Sequence, residues 1–411
     1  MNRIPVLLNI NSSINIVRED SENTLFDQRI FEIALFLSVF YSLMNLTPMP
    51  NNYLLVKVIN ELAMVLCSGY FILIWISCPL IKKFEKVSGV LVVLLASFLL
   101  IRFHYRILPE VCLLLAVRIS ISFDYILRRL ILYGITVFLF IALCSFLGLS
   151  KDESFVRDNM EGLSDTLIAH TFGFYYYSAS AYLFMNIIIC KMYLCRNNCS
   201  WLKLSGFLLA SILVFLFSVT RVQLVVNLLM IAVFALTYKL QILKFSSVFW
   251  KILAMISFPV ATIGVCAFFS DEEMVLDDEL LLADLFLNSR LSLNQYAFEL
   301  YDVTPFGNLV ETSTGTTLED YFFIDCGYID VLIRYGYVMT AFVQVVLSLA
   351  FYKIYKTNDF FLYFWMFLFV FVSFVNSFFF AVVFFPLPLL IGCFMDPAEN
   401  NQISVLASNN E

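Results

Sequence analysis

Runs of apolar residues follow one another along nearly the whole chain, joined by short polar stretches and showing no period-two alternation. Unbroken runs of this kind specify helices rather than barrel strands. A bilayer span needs about 20 apolar residues, and twelve such spans can be laid out. They lie near 30–46, 54–78, 89–103, 107–122, 130–149, 167–190, 204–220, 222–238, 249–269, 329–351, 360–375 and 378–394. In 89–122, 204–238 and 360–394 two spans meet with no long polar linker between them. One segment breaks the pattern. Residues 270–328 are rich in Asp and Glu and hold a single basic residue, Arg290.

The expected organisation has five parts. A polar N-terminal segment (1–28) without the apolar core of a cleavable signal peptide precedes helices one to nine (29–269). A large loop (270–328), helices ten to twelve (329–395) and a polar tail (396–411) follow. Composition agrees with a chain solvated by lipid. Hydrophobic side chains make up 61% and charged ones 14%, against about 45–50% and about 25% in soluble domains. The fold class expected is therefore an all-α polytopic membrane protein. The ten cysteines mostly sit inside apolar runs (Cys67, Cys112, Cys144, Cys190, Cys266, Cys393), where Cys acts as a small hydrophobe.

Charge sets the orientation. With the N-terminus inside, the inner joints collect Lys82, Lys83, Lys86, Arg128, Arg129, Lys191, Arg196, Lys203, Lys239, Lys244, Lys251, Lys353 and Lys356. Of the lysines only Lys151 would lie outside, so the basic bias places both termini in the cytoplasm and the acidic loop outside. The remaining outer basic residues are all arginines: Arg102, Arg106, Arg157, Arg221, Arg290 and Arg334. A guanidinium presents a planar fork suited to phosphate. Arg102 and Arg106 can equally snorkel to lipid headgroups. Arg221, alone among apolar residues between Thr220 and Gln223, implies a tight turn between two helices. Its charge would be met by a lipid phosphate, a substrate phosphate or an acidic partner. Lys57 and Glu61 can pair along one face of the second span.

Within the loop, Asp271 to Asp284 reads as an acidic, leucine-rich segment with a solvated face. Asn288-Ser289-Arg290 starts a helix, Pro305-Phe306-Gly307-Asn308 forces a turn, and Glu311 to Asp320 has the Gly and Thr content of a flap. Tyr321 to Tyr328 then feeds a span carrying Asp330 and Arg334 in its first turns. Carboxylates beside aromatic rings suit a carbohydrate site, although interfacial aromatics also serve as anchors.

Thr220-Arg221, Ser289-Arg290, Pro305-Phe306-Gly307-Asn308 and Asp325 running through Tyr328 to Gly336 occur in that order around the large loop. By these motifs, confined to roughly 218–340, the chain resembles the bacterial O-antigen polymerase and ligase superfamily, in particular Wzy-type polysaccharide polymerases. It departs from that pattern at Cys326, where Asn often follows the acidic or His residue. The resemblance implies a GT-C-like glycosyltransferase of about twelve helices in the bacterial inner membrane. It would be metal-independent, inverting and free of cofactors. A growing glycan would pass from undecaprenyl diphosphate to a lipid-linked repeat unit, with membrane lipid and a chain-length regulator protein as partners and no role for nucleic acid. Arg221 and Arg290 would neutralise the diphosphate, assisted by Arg334, Arg102 or Arg106. Asp325 would be the base, with Asp330 as its substitute, and Tyr321, Tyr328 and Tyr335 would line the sugar path. Three further readings remain open: a ligase of the same architecture, whose relatives often carry His at the position of Asp325, a transporter or flippase of lipid-linked glycan, and a structural membrane scaffold.

Overall fold

The computed structural model describes residues 28–77, 83–103, 107–117, 122–150, 155–157, 167–242, 248–269, 290–311, 313–314, 321–357, 359–377 and 381–392. Both chain ends, the acidic segment 271–284, Arg106, and most of the Glu311–Asp320 stretch lie outside these residues. The chain is an all-α membrane protein. Among the described residues five helices are long and apolar enough to cross a bilayer: Leu54–Ile76, Phe123–Phe146, Trp201–Ser218, Arg221–Lys239 and Gly327–Thr357. Their outer faces are left to lipid; Phe146, Leu202 and Leu54 are 88%, 83% and 78% exposed.

In chain order the helices are α1 (28–44), the single turn α2 (Met49–Asn52), α3 (Leu54–Ser77), α4 (Lys83–Phe103), α5 (Leu108–Ala116), α6 (Phe123–Phe146), α7 (Tyr177–Leu194), α8 (Trp201–Ser218), α9 (Arg221–Phe234), α10 (Val248–Phe269), α11 (Arg290–Leu300), α12 (Gly327–Thr357) and α13 (Phe360–Val372). Two small antiparallel ladders accompany them. β1 (Phe155–Arg157) pairs with β2 (Leu167–Ala169), and β3 (Ser313–Thr314) with β4 (Tyr321–Phe322).

Side-chain caps start several helices. Ser122 accepts from Tyr125 N and Ser200 from Lys203 N, each satisfying a donor that the first turn leaves open. Asp359 caps α13 by accepting from Phe361 N and Leu362 N. It also receives the Tyr238 hydroxyl at 2.7 and 2.6 Å.

Ion pairs and caps define one rim of the bundle. Arg129 meets Glu32 at 2.8 Å. Arg196 reaches both carboxylate oxygens of Asp124 at 3.1 and 2.9 Å, with its guanidinium 4.2 Å from the Tyr193 ring centroid. Lys239 lies over Trp201, next to Tyr238 and its partner Asp359. Lys191 and Lys356 lie in the last turns of α7 and α12 and Lys203 in the first turn of α8, so this is the lysine-rich rim. At the opposite rim Tyr175 N donates to Leu46 O and His170 N to Phe217 O.

Two corrections to the twelve-span expectation follow. The described part of the run 378–394 holds no α-helix. Described residues 381–392 form turns and a short 3-10 segment, Leu387–Ile391, because Pro386 and Pro388 cannot sustain the helical ladder. The segment dips into the bundle instead: Val382 N donates to Glu110 Oε2 at 3.2 Å and Asn186 Nδ2 donates to Val383 O at 2.7 Å. Irregular backbone at membrane depth persists only where protein encloses it, and Val382, Val383, Phe384, Phe385, Leu387 and Leu389 are all buried. The second correction concerns 167–190, whose first ten residues are strand and turn; helix begins only at Tyr177. The described residues of the 107–122 stretch give nine residues of helix, α5. It still changes rim, because Glu110 meets Ser42 near the end of α1 while Arg129 meets Glu32 near its start.

Glu110 is buried and accepts from Ser42 Oγ at 2.9 Å as well as from Val382 N. Its carboxylate ties α1 and α5 to the inward-dipping segment. Glu110→Ala is expected to cost about 2–4 kcal/mol, since two buried donors lose their acceptor; Glu110→Gln, which keeps one, should cost less. Thermal unfolding of the purified protein checks this. Equal melting of all three proteins would mean that apolar contacts alone hold the segment.

Helix α12 shapes the opposite rim. Gly336 interrupts it at φ 80° and ψ 168°. In a straight helix Tyr328 and Phe351 would sit about 34 Å apart. Both rings nonetheless lie about 6 Å from that of Phe258, at 6.2 and 5.9 Å. The chain therefore turns sharply at Gly336. A short first half (327–335) climbs to the rim, and a long second half (337–357) returns across the membrane beside α10, held by Gln344 Nε2 to Thr262 Oγ1 and Ser348 Oγ to Met255 O. Gly327 N donates to Ser373 O at 2.8 Å, just past the end of α13. Thirteen residues of α13 climb only about 20 Å of a hydrocarbon core about 30 Å thick. The first half of α12 thus starts within the bilayer.

Candidate functional site

The turn at Gly336 is held by the Pro305-Phe306-Gly307-Asn308 segment. Asn308 N donates to Ile333 O at 3.0 Å, Tyr337 N to Thr304 O and Val338 N to Pro305 O, both at 3.2 Å. Asn308 Nδ2 reaches Asp302 O and Ile333 O, and Thr304 Oγ1 donates to Gly307 O. Backbone groups released by the broken helix are thereby paired again. The two glycines make this contact possible. A Cβ on Gly307 would lie 2.1 Å from Arg334 O, and one on Gly336 would lie 2.4 Å from Gly307 N. The sequence motifs around Gly307 and Gly336 are two sides of one joint. Phe306 extends it to α4 through a 5.6 Å ring contact with Phe98.

Below this joint the first half of α12 carries Asp330 and Arg334. Asp330 is buried and accepts from Arg334 Nε at 2.8 Å. The pair shares one helix face at i,i+4 spacing, so Asp330 fixes the guanidinium. A carboxylate so enclosed and engaged is poorly placed to act as the substitute base. Asp325, two residues before the helix, is half-buried.

Tyr176, directly before α7, joins this group. Its ring lies 5.3 Å from that of Phe323, and it stands in the fields of both Asp325 and Arg334. A phenol stays protonated at neutral pH, so the Tyr176 hydroxyl is a hydrogen-bond donor there. Neighbouring Tyr175 receives Asn51 Nδ2 on its hydroxyl at 2.7 Å. Neither Tyr175 nor Tyr176 belongs to the set expected from sequence. The only signal was the run Phe174-Tyr175-Tyr176-Tyr177 ahead of an apolar stretch, which is equally what an interfacial anchor looks like.

The other expected residues divide. Tyr328 is withdrawn from the sugar path: it is 1% exposed, its hydroxyl donates to Val370 O at 2.8 Å, and its ring is enclosed by Phe258 and Phe374. Tyr335 is half-buried and packs against the core. Arg221 is exposed at the first turn of α9. The tight turn expected there exists, made by Val219 in a left-handed conformation (φ 52°) and by a 2.8 Å contact between Ser218 Oγ and Thr220 Oγ1. Among the described residues no ion pair joins Arg221 to Asp325 or Asp330. Arg102 is exposed one turn beyond Phe98 on α4. Arg290 is the first residue of α11 and Tyr321 pairs with Thr314, while the side chains of both lie outside the described residues.

The geometry thus collects a carboxylate, an anchored guanidinium and an aromatic pair beside an interrupted helix, at the rim opposite the lysines. No family model, curated protein or solved structure matches the chain.

Proposed function

We propose that this protein is a polysaccharide polymerase of the inner-membrane type, transferring a glycan from a polyprenyl diphosphate to a lipid-linked repeat unit. The observation that carries the reading is the gathering of Asp325, the Asp330–Arg334 pair, Tyr176 and Phe323 where α12 starts within the bilayer. The lysine-rich rim supports placing this group on the outer face by the positive-inside rule. Lipid-borne substrates reach such a depth without leaving the membrane.

In the proposed step the anomeric carbon is attacked by an acceptor hydroxyl. The new C–O bond forms on the face opposite the breaking bond to diphosphate oxygen, so the configuration inverts. Asp325 takes the hydroxyl proton as general base, and the lipid diphosphate leaves carrying the bonding electrons. Arg334, held by Asp330, faces that growing negative charge. Arg221 and Arg102 are exposed at the same rim to guide the anionic carrier, and Arg290, the first residue of α11, would assist them. No metal, redox cofactor or nucleic acid enters this scheme, and a chain-length regulator would act as a separate partner.

The interrupted α12 and the inward-dipping 381–392 segment also suit a carrier, since transporters build their sites from broken helices. Reconstitution separates the readings. Purified protein in proteoliposomes, given lipid-linked repeats extracted from a strain lacking the gene, is expected to form glycosidic bonds and longer chains. Movement of the repeats across the bilayer with no bond formed would make it a flippase. Long chains persisting on the carrier in the deletion strain, but not on their final acceptor, would make it a ligase.

A further inference from the structure

The segment that delivers Tyr176 is built unlike an ordinary helix entry. Phe172 and Gly173 adopt consecutive left-handed conformations, φ 53° and 87°. For Phe172 that conformation is costly and persists only when surroundings impose it. The surroundings do so from every side. His170 N is bonded to the end of α8 through Phe217 O, and Tyr175 N to the end of α1 through Leu46 O. Ser150 Oγ donates to Gly173 O at 3.0 Å, Asn51 holds the Tyr175 hydroxyl, and Phe138 packs against both Phe172 and Phe174. A Cβ on Gly173 would lie 3.0 Å from Ser145 Cβ. Strain of this kind gathers at sites where geometry must be fixed beforehand.

What this fixed segment presents is a half-buried ring, Tyr176, tilted 53° against Phe323 at 5.3 Å. Phe323 lies two residues before Asp325, so one ring of the pair and the carboxylate are carried by the same short irregular stretch. Tyr328, by contrast, is sealed into the core, and Tyr176 takes the place sequence gave to it.

We infer that Tyr176, backed by Phe323, is a sugar-binding shelf on which one pyranose ring of the lipid-linked glycan stacks, with its hydroxyls turned to Asp325. The inference rests on the polymerase reading and adds its recognition element. A pyranose offers one face of C–H groups and a rim of hydroxyls. Aromatic carbon covers the first, while Asp325 and the Tyr176 hydroxyl serve the second. Tyr176 then acts on substrate affinity and positioning, not on proton transfer.

The test uses full-length protein in proteoliposomes and the lipid-linked repeats extracted from the deletion strain. Chain growth is measured over a range of repeat concentrations for wild type, Tyr176→Phe and Tyr176→Ala, with thermal unfolding run alongside. Tyr176→Ala is expected to raise the half-saturating concentration about tenfold, the loss of one aromatic contact, with kcat within about twofold. Tyr176→Phe, keeping the ring, should stay within about threefold of wild type. Should Tyr176→Ala saturate like wild type, or lose kcat with unchanged half-saturation, the shelf is wrong while the polymerase reading stands. A Tyr176→Ala protein that melts early but recovers normal saturation at lower temperature would also overturn it, showing a purely structural ring. A wild-type protein that forms no glycosidic bond removes the polymerase reading and the shelf together.

Discussion

Gly336→Ala is expected to lose at least about 3 kcal/mol of stability and, with it, chain growth. At φ 80° and ψ 168° the backbone occupies a region open essentially to glycine alone, which costs about 1–3 kcal/mol for any other residue. The added methyl would also meet Gly307 N at 2.4 Å, Pro305 O at 2.5 Å and Phe306 N at 2.6 Å. These are backbone atoms and cannot rotate aside as a side chain would. Relief requires the 304–308 segment to back away from α12, which breaks the bonds from Tyr337 N, Val338 N and Asn308 N. Gly264→Ala in α10 is the matched control, with nothing within 4 Å of its added methyl. It should be neutral or slightly stabilising, because alanine favours helix over glycine. Thermal unfolding of the two purified variants is the measurement. If Gly336→Ala melts with wild type, the joint between the loop and α12 is not as tight as described.

Hydropathy made the bundle legible wherever a single helix spans without interruption, as in α3, α6 and α8. It failed where apolar backbone is buried by protein instead of lipid. Residues 378–394 are as apolar as a true span, and only the Pro386-Leu387-Pro388 spacing argued against a helix. Transfer energy reports the surroundings of side chains, not the hydrogen bonding of the backbone they hang from. The same blindness hid the reversal of α12. Gly336 and the Pro305–Asn308 motif were each visible in sequence, but their pairing across more than twenty residues is a tertiary fact. Asp325 and Arg334 were legible because charges at a span's entrance are rare enough to notice. Asp330 was noticed for the wrong reason, since its carboxylate is occupied by Arg334. Tyr176 was illegible because the contact that gives it meaning, with Phe323, joins positions nearly 150 residues apart.

Arg334→Ala is expected to lower chain growth by about 10²–10³-fold, the effect of removing a single preorganised group that stabilises charge in the transition state. The substitution also strands Asp330. A buried carboxylate deprived of its partner destabilises by about 3–5 kcal/mol, and an unfolded enzyme is inactive for trivial reasons. The paired variant Asp330→Asn/Arg334→Gln resolves this. It removes both charges together while keeping side chains of similar size that can hydrogen-bond each other, so stability is expected to return to within about 1–2 kcal/mol of wild type. Catalysis should not return with it, since the guanidinium aimed at the diphosphate is gone. Arg334→Lys should recover only part of the rate: it keeps a charge but loses the planar fork and the Nε bond that aims it. A paired variant that folds and polymerises at the wild-type rate would leave Arg334 with a structural role only. The charge compensation would then have to come from another arginine, Arg221 and Arg102 being the ones exposed at that rim among the described side chains.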